Sequence, residues 1–326
     1  MFWEFLHEIQ LRHPWAFAVC FGVFGAMVGS FLNVCIARVP KGESVVRPGS
    51  HCTCGAPIPW FRNIPVLAWF CLRGRAACCG RAFSVRYPLV EALTGALFAS
   101  CWLLLPWQQA LPGMLLAAWL VILAFIDLDT MFLPDTLNIS LAIVGIVLSV
   151  ALPGMHGYAR TSPWFAATIA SAADSLTGVL AGTGLVYWFR LLASWAAGRE
   201  AMGEGDVILL GGIGAFCGWQ GAFFALFGGS MIGALVLLPL LLVRRIFRHP
   251  APPTHEREAQ ASSHASCEGN DTELGKESTS SLGLEVPFGP WLAAGAMVWV
   301  LLARAPLAQF VAQFRAMLAS FTGPIY

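Results

Sequence analysis

Met114-Leu115-Leu116-Ala117-Ala118-Trp119-Leu120-Val121-Ile122-Leu123-Ala124-Phe125-Ile126-Asp127-Leu128-Asp129 is the stretch that decides the fold. Its first thirteen residues carry no charge and would be apolar on every side of a helix, so water is the wrong solvent for them. With the residues before it, the run gives an expected span of about 110 to 127, near the roughly 20 residues that cross a hydrocarbon core. Comparable runs recur at about 15 to 37, 88 to 106, 135 to 153, 173 to 192, 206 to 219, 221 to 243 and 288 to 304. The expected fold class is an all-α polytopic membrane protein of about eight transmembrane helices, with a small cytoplasmic domain between helices 1 and 2.

Composition points the same way. Of 326 residues, 57% are hydrophobic and 11% charged, and mean hydropathy is +0.70, whereas a soluble domain is roughly 25% charged. Apolar runs continue along the whole chain, so the first is read as a permanent anchor and not as a cleaved signal. A net charge of +1 gives no reason to expect nucleic acid.

Charge is nonetheless segregated. If the first span runs outside to inside, segments 38 to 87, 190 to 205 and 244 to 285 face the cytoplasm and hold eight, two and five basic residues, 15 of the 19 Lys and Arg. The positive-inside rule selects that orientation. The expected domains are 1–38 (N-terminus and first helix), 39–87 (cytoplasmic loop domain), 88–243 (transmembrane core), 244–285 (linker) and 286–326 (last helix and an amphipathic tail from Leu307 to Phe321). The linker is rich in Ser, Thr, Glu and Ala and buries too little to offset its ordering entropy.

Two acidic clusters meet on the face so defined. One is Asp127, Asp129 and Asp135; the other is Gly203-Glu204-Gly205-Asp206, about 80 residues later. Ionisable groups near membrane depth are costly and face a cavity or each other, which makes them functional candidates by default. Two neighbouring aspartates share one proton, and such a pair does acid and base work together: one takes a proton from water while the other polarises a carbonyl. Gly203 and Gly205 clear space for an extended substrate backbone beside Asp206. Asp135, after Leu133-Pro134, also suits a helix N-cap, and Asp129 and Glu204 also read as solvated interface charges.

The residues resemble the prepilin peptidase family, the GxGD-type membrane aspartic peptidases or type IV leader peptidases. The resemblance rests on Gly29-Ser30-Phe31-Leu32-Asn33-Val34 with Arg38-Val39-Pro40, Asn63-Ile64-Pro65, Leu72-Arg73-Gly74, and Arg86-Tyr87-Pro88-Leu89-Val90-Glu91. It continues through Ile126-Asp127 to Asp135, Gly203-Glu204-Gly205-Asp206, Gly218-Trp219 and Pro287-Phe288-Gly289-Pro290. It implies a bacterial inner-membrane enzyme that cleaves the basic leader of type IV prepilins or type II secretion pseudopilins on the cytoplasmic side, with Asp127 and Asp206 catalytic. It also implies N-methylation of the new N-terminus with S-adenosylmethionine. Members with the long loop carry two CxxC pairs that suit zinc, whereas this chain has Cys52-Thr53-Cys54 and Cys78-Cys79, a spacing expected to constrain chelation. Zinc on Cys52, Cys54, Cys78 and Cys79 and four free thiols both remain open. Ile208 stands where a lysine is common.

Two other classes compete. A proton-coupled transporter would favour polar groups at mid-membrane and paired broken helices, and a non-catalytic assembly factor derived from a peptidase would keep the fold without the chemistry.

Overall fold

The computed structural model describes residues 8–49, 52, 54–59, 64–158, 163–198, 203–246, 286–310 and 313–314. The expected linker lies, from residue 247 to 285, outside them, as does most of the tail. Among the described residues the chain is helical: α1 (Pro14–Arg38), α2 (Leu67–Cys71), α3 (Arg86–Leu104), α4 (Trp107–Thr130), α5 (Asp135–Ala151), α6 (Trp164–Ala197), α7 (Glu204–Ile246) and α8 (Gly289–Val298), which runs on through a π turn at Trp299–Ala303. Six of the described helices are long and apolar enough to cross a membrane, and α5 is a shorter apolar helix. The chain is a multi-pass helical membrane protein. Two compact units divide it, Met1–Ile232 with Pro287–Tyr326, and Gly233–Val286; the contacts below lie within the first.

Helix length gives six and not the expected eight, because α5 falls short and α7 takes in two of the expected spans. It covers both expected spans at 206 to 219 and 221 to 243, with a break at Gly218, whose φ of 71° and ψ of 178° lie outside helical values. That left-handed φ is one that glycine adopts without the steric cost of a Cβ. The chain reverses there. Before the break, α7 lies along α6 in the opposite sense, with Gly214 against Gly178 and Leu210 against Gly182; after it, Gly221 meets Trp299 and Gly229 meets Trp291. Helix α6 is also longer than the expected 173 to 192, because Trp164 to Ser171 are uncharged and extend the helix by two turns.

Small residues set these contacts. Added Cβ atoms at Gly178 and Gly214 would run into each other's backbone, and one at Gly182 would stand 2.5 Å from the Leu210 carbonyl oxygen. Ser175 Oγ donates to the Ala215 carbonyl at 2.9 Å across the same seam. The α1–α3 pair is built alike: a Cβ at Gly25 would lie 2.8 Å from Phe98, and one at Gly29 2.8 Å from the Glu91 Cα. Without a hydrophobic force between helices in lipid, such backbone approach and cross-helix hydrogen bonds hold a bundle together. Gln10 closes the α3–α4 turn, donating to the carbonyls of Trp102 and Leu105 at 2.9 and 2.7 Å.

Gly214→Ala is therefore expected to lower the thermal midpoint of the detergent-purified protein, by the equivalent of about 1–3 kcal/mol for overpacking. Gly184→Ala on α6 meets nothing within 4 Å and should leave the midpoint unchanged or raise it through helix propensity. Thermal unfolding followed by helical circular dichroism checks both.

Candidate active site

Helix α4 carries the first acidic cluster to one end of the bundle and stops there. Its C-cap is Met131, a non-glycine residue at φ 51°, a conformation costly for a side chain. Thr130 Oγ1 holds the turn, donating to the Ile126 carbonyl at 2.9 Å and accepting from the Phe132 N–H at 3.3 Å. The turn presents buried Leu133 to the start of α7, where a Cβ on Gly205 would stand 2.7 Å from the Leu133 Cβ. Asn138 on α5 fixes the same spot, its Nδ2 donating to the Gly205 carbonyl at 3.2 Å. These contacts set Asp206 beside the end of α4.

Asp127 and Asp206 are only 5% and 8% exposed, and the charge of Asp127 reaches Asp206. A third element joins them. The Gly289 N–H, at the start of α8, donates to Asp127 Oδ2 at 2.9 Å, and a Cβ on Gly289 would stand 2.8 Å from that oxygen. Helices α4, α7 and α8 thus converge on one buried pair of aspartates.

The other expected site residues lie around this centre and not in it. The Arg86 guanidinium pairs with Asp129, donates to the Phe125 carbonyl at 3.1 Å and sits 5.0 Å over the Phe125 ring, so Asp129 is not simply a solvated charge. Glu204 likewise pairs with Arg190 at 3.0 Å, although its side chain stays exposed. Asp135 does not cap α5: Pro134 occupies the cap, and Asp135 is the first helical residue, exposed, with no side-chain cap hydrogen bond. There it still complements the positive helix end. Gly203 is exposed, with Asp206 Oδ2 3.7 Å from where its Cβ would be.

The cysteines of the 39–87 segment come together despite their spacing. One turn closes by the Cys52 N–H on the Ala56 carbonyl and the Gly55 N–H on the Cys52 carbonyl, both 2.8 Å. The other is closed by the Arg75–Ala82 bridge and the Ala76 N–H on the Arg81 carbonyl at 2.8 Å. They face each other, with Cys52 Sγ 3.6 Å from Cys79 Sγ and Cys54 Sγ 3.4 Å from Cys78 Sγ. All four sulfurs lie within 4.8 Å of one another, and a tetrahedral zinc bound by four thiolates needs them about 3.8 Å apart. The donor set fits. The Cys52 thiol is pushed down to about 6, first by the Cys54 backbone N–H and then by the thiols of Cys78 and Cys79, which favours the thiolate that metals bind. This unit is tied to the bundle where the Val66 N–H donates to Glu91 Oε2 at 2.7 Å.

An all-helical membrane bundle with two buried aspartates at one end defines the class of protein. Comparison with known proteins adds the family: residues 23–105 match the bacterial peptidase A24 N-terminal domain, and residues 114–238 match the type IV leader peptidase family. The chain is 36% identical over 325 residues to a prepilin leader peptidase/N-methyltransferase of Myxococcus xanthus, covering 88% of this chain and 90% of that one. It is 37% identical over 227 residues to the protein of that name in Klebsiella pneumoniae, covering 66% and 91%. A type 4 prepilin-like proteins leader peptide-processing enzyme of Escherichia coli is 35% identical over 233 residues, covering 65% and 81%. The chain belongs to the type IV leader peptidase family. No solved structure matches it significantly.

The Arg86–Asp129 pair is partly exposed, at 34% and 39%, so Asp129→Asn should cost no more than about 1 kcal/mol. A thermal melt in detergent at low and moderate salt measures that loss.

Proposed function

We propose that this chain is an aspartic endopeptidase that cleaves the leader of type IV prepilins or type II secretion pseudopilins. The observation that carries the reading is the burial of Asp127 and Asp206 together at one end of the bundle, where two carboxylates without an ion partner among the described residues serve chemistry better than stability. One aspartate, ionised, takes a proton from a water held between them. The other, protonated, hydrogen-bonds the scissile carbonyl as the hydroxide adds; the C–N bond then breaks as the first aspartate passes its proton to the leaving amine, with no covalent enzyme intermediate. Segregation of basic residues supports a cytoplasmic position for this end, at the inner membrane. There the acidic groups attract a basic leader while the substrate's apolar helix stays in the bilayer.

The names of the relatives support a second activity, methylation of the new N-terminal residue with S-adenosylmethionine as donor. Bound zinc on Cys52, Cys54, Cys78 and Cys79 would be structural, with four protein ligands and no open position. It would lock together two turns that bury little apolar surface of their own.

Asp127→Asn and Asp206→Asn should each abolish leader cleavage in membranes at normal expression. Mass spectrometry of one prepilin, incubated with and without S-adenosylmethionine, reads cleavage and a methyl addition together; normal processing by either variant removes that residue from the reaction. Metal analysis of the purified chain should find zinc that is lost in Cys54→Ser and Cys78→Ser, and a metal-free wild type would refute the zinc site.

A further inference from the structure

Helix α8 begins with an unusual shortage of donors. The first N–H groups of any helix lack intrahelical acceptors and seek partners elsewhere. Here Pro290 has no N–H, and the N–H groups of Trp291 and Leu292 bond to the Phe288 carbonyl at 3.1 and 3.2 Å. That leaves the Gly289 N–H as the donor at this helix start directed to another element, and it is spent on Asp127 Oδ2, 162 residues away in sequence. No side chain is tolerated there, since a Cβ would stand 2.8 Å from the same oxygen.

We propose that the Gly289 main-chain N–H is a positioning group for Asp127, which makes the start of α8 part of the hydrolytic machinery. This rests on the peptidase reading above. The donor holds one carboxylate oxygen, and Oδ1 has no hydrogen-bond partner among the described residues, so the group is fixed in rotation with one oxygen left for water. A helix N-terminus complements negative charge at that point. Pro290 sharpens the arrangement: it removes the neighbouring donor that would otherwise compete for the carboxylate and presets the helical φ.

Two variants of the full chain separate the parts. Gly289→Ala keeps the N–H and adds the intruding carbon; Gly289→Pro adds a carbon at the same place and also removes the donor, at a first-turn position that accepts proline, so the difference between the two reads the N–H. With a purified prepilin as substrate and rates expressed per folded molecule, both should lower kcat on the order of 100-fold, as small misplacements of reacting groups do, while KM stays unchanged. Gly295→Ala is the control for packing damage on the same helix, because its added carbon meets the Ala225 carbonyl and not an aspartate; it should lower the folded yield and leave kcat alone. A wild-type kcat in Gly289→Pro, or an effect confined to KM or to yield in both Gly289 variants, overturns the proposal. If Asp127→Asn is inactive while Gly289→Pro is fully active, only this inference falls. If Asp127→Asn cleaves normally, the peptidase reading falls with it.

Discussion

Helices surrounded by lipid gain nothing by hiding apolar surface from it, so their mutual placement has to come from how closely their backbones approach. In this chain the α6–α7 seam, glycine against glycine at 178 and 214 and at 182 against Leu210, fixes the axial height of α7. Everything at the acidic end inherits that height. A sliding of α7 by one residue would move Asp206 by about 1.5 Å and turn it by roughly a quarter of the helix circumference, taking it away from Asp127. The Leu133–Gly205 contact and the Asn138 hydrogen bond then act as local stops at the other end of the same helix. Distance along the sequence is thus converted into proximity by a packing register that contains almost no side chains.

The fold was legible because its signal is crude: uniform apolarity marks a membrane helix whatever its neighbours are. The break at Gly218 was also within reach, since the expected spans met nearby at Trp219–Gly221, although only the backbone angles reveal a reversal inside one continuous helix. The two aspartates could be found for the same reason. A buried carboxylate in an apolar run is an anomaly visible in one dimension.

What the sequence hid was partnership. Asp129 and Glu204 read as interface charges until Arg86 and Arg190 are seen beside them, 43 and 14 residues away. Asp135 read as a cap because caps follow such patterns, but Pro134 takes the extended φ and ψ of the cap position itself. The Pro287-Phe288-Gly289-Pro290 motif was visible as a pattern with no hint of what its glycine touches. The cysteines misled in the opposite sense: spacing within each turn says little when the chelating geometry arises between two turns that face each other, pairing Cys52 with Cys79 and Cys54 with Cys78.

The reversal at Gly218 also bears on how deep the aspartate pair would sit in a bilayer. From Glu204 to the break, α7 has only fourteen residues, about 21 Å of helix against a hydrocarbon layer of about 30 Å. Its parallel neighbour α5, at 17 residues, is short as well. Such hydrophobic mismatch is relieved when the surrounding bilayer thins. Helices of this length match a bilayer that thins around them, which would bring headgroups and water closer to Asp127 and Asp206 and make membrane thickness a variable acting on the site from outside the protein.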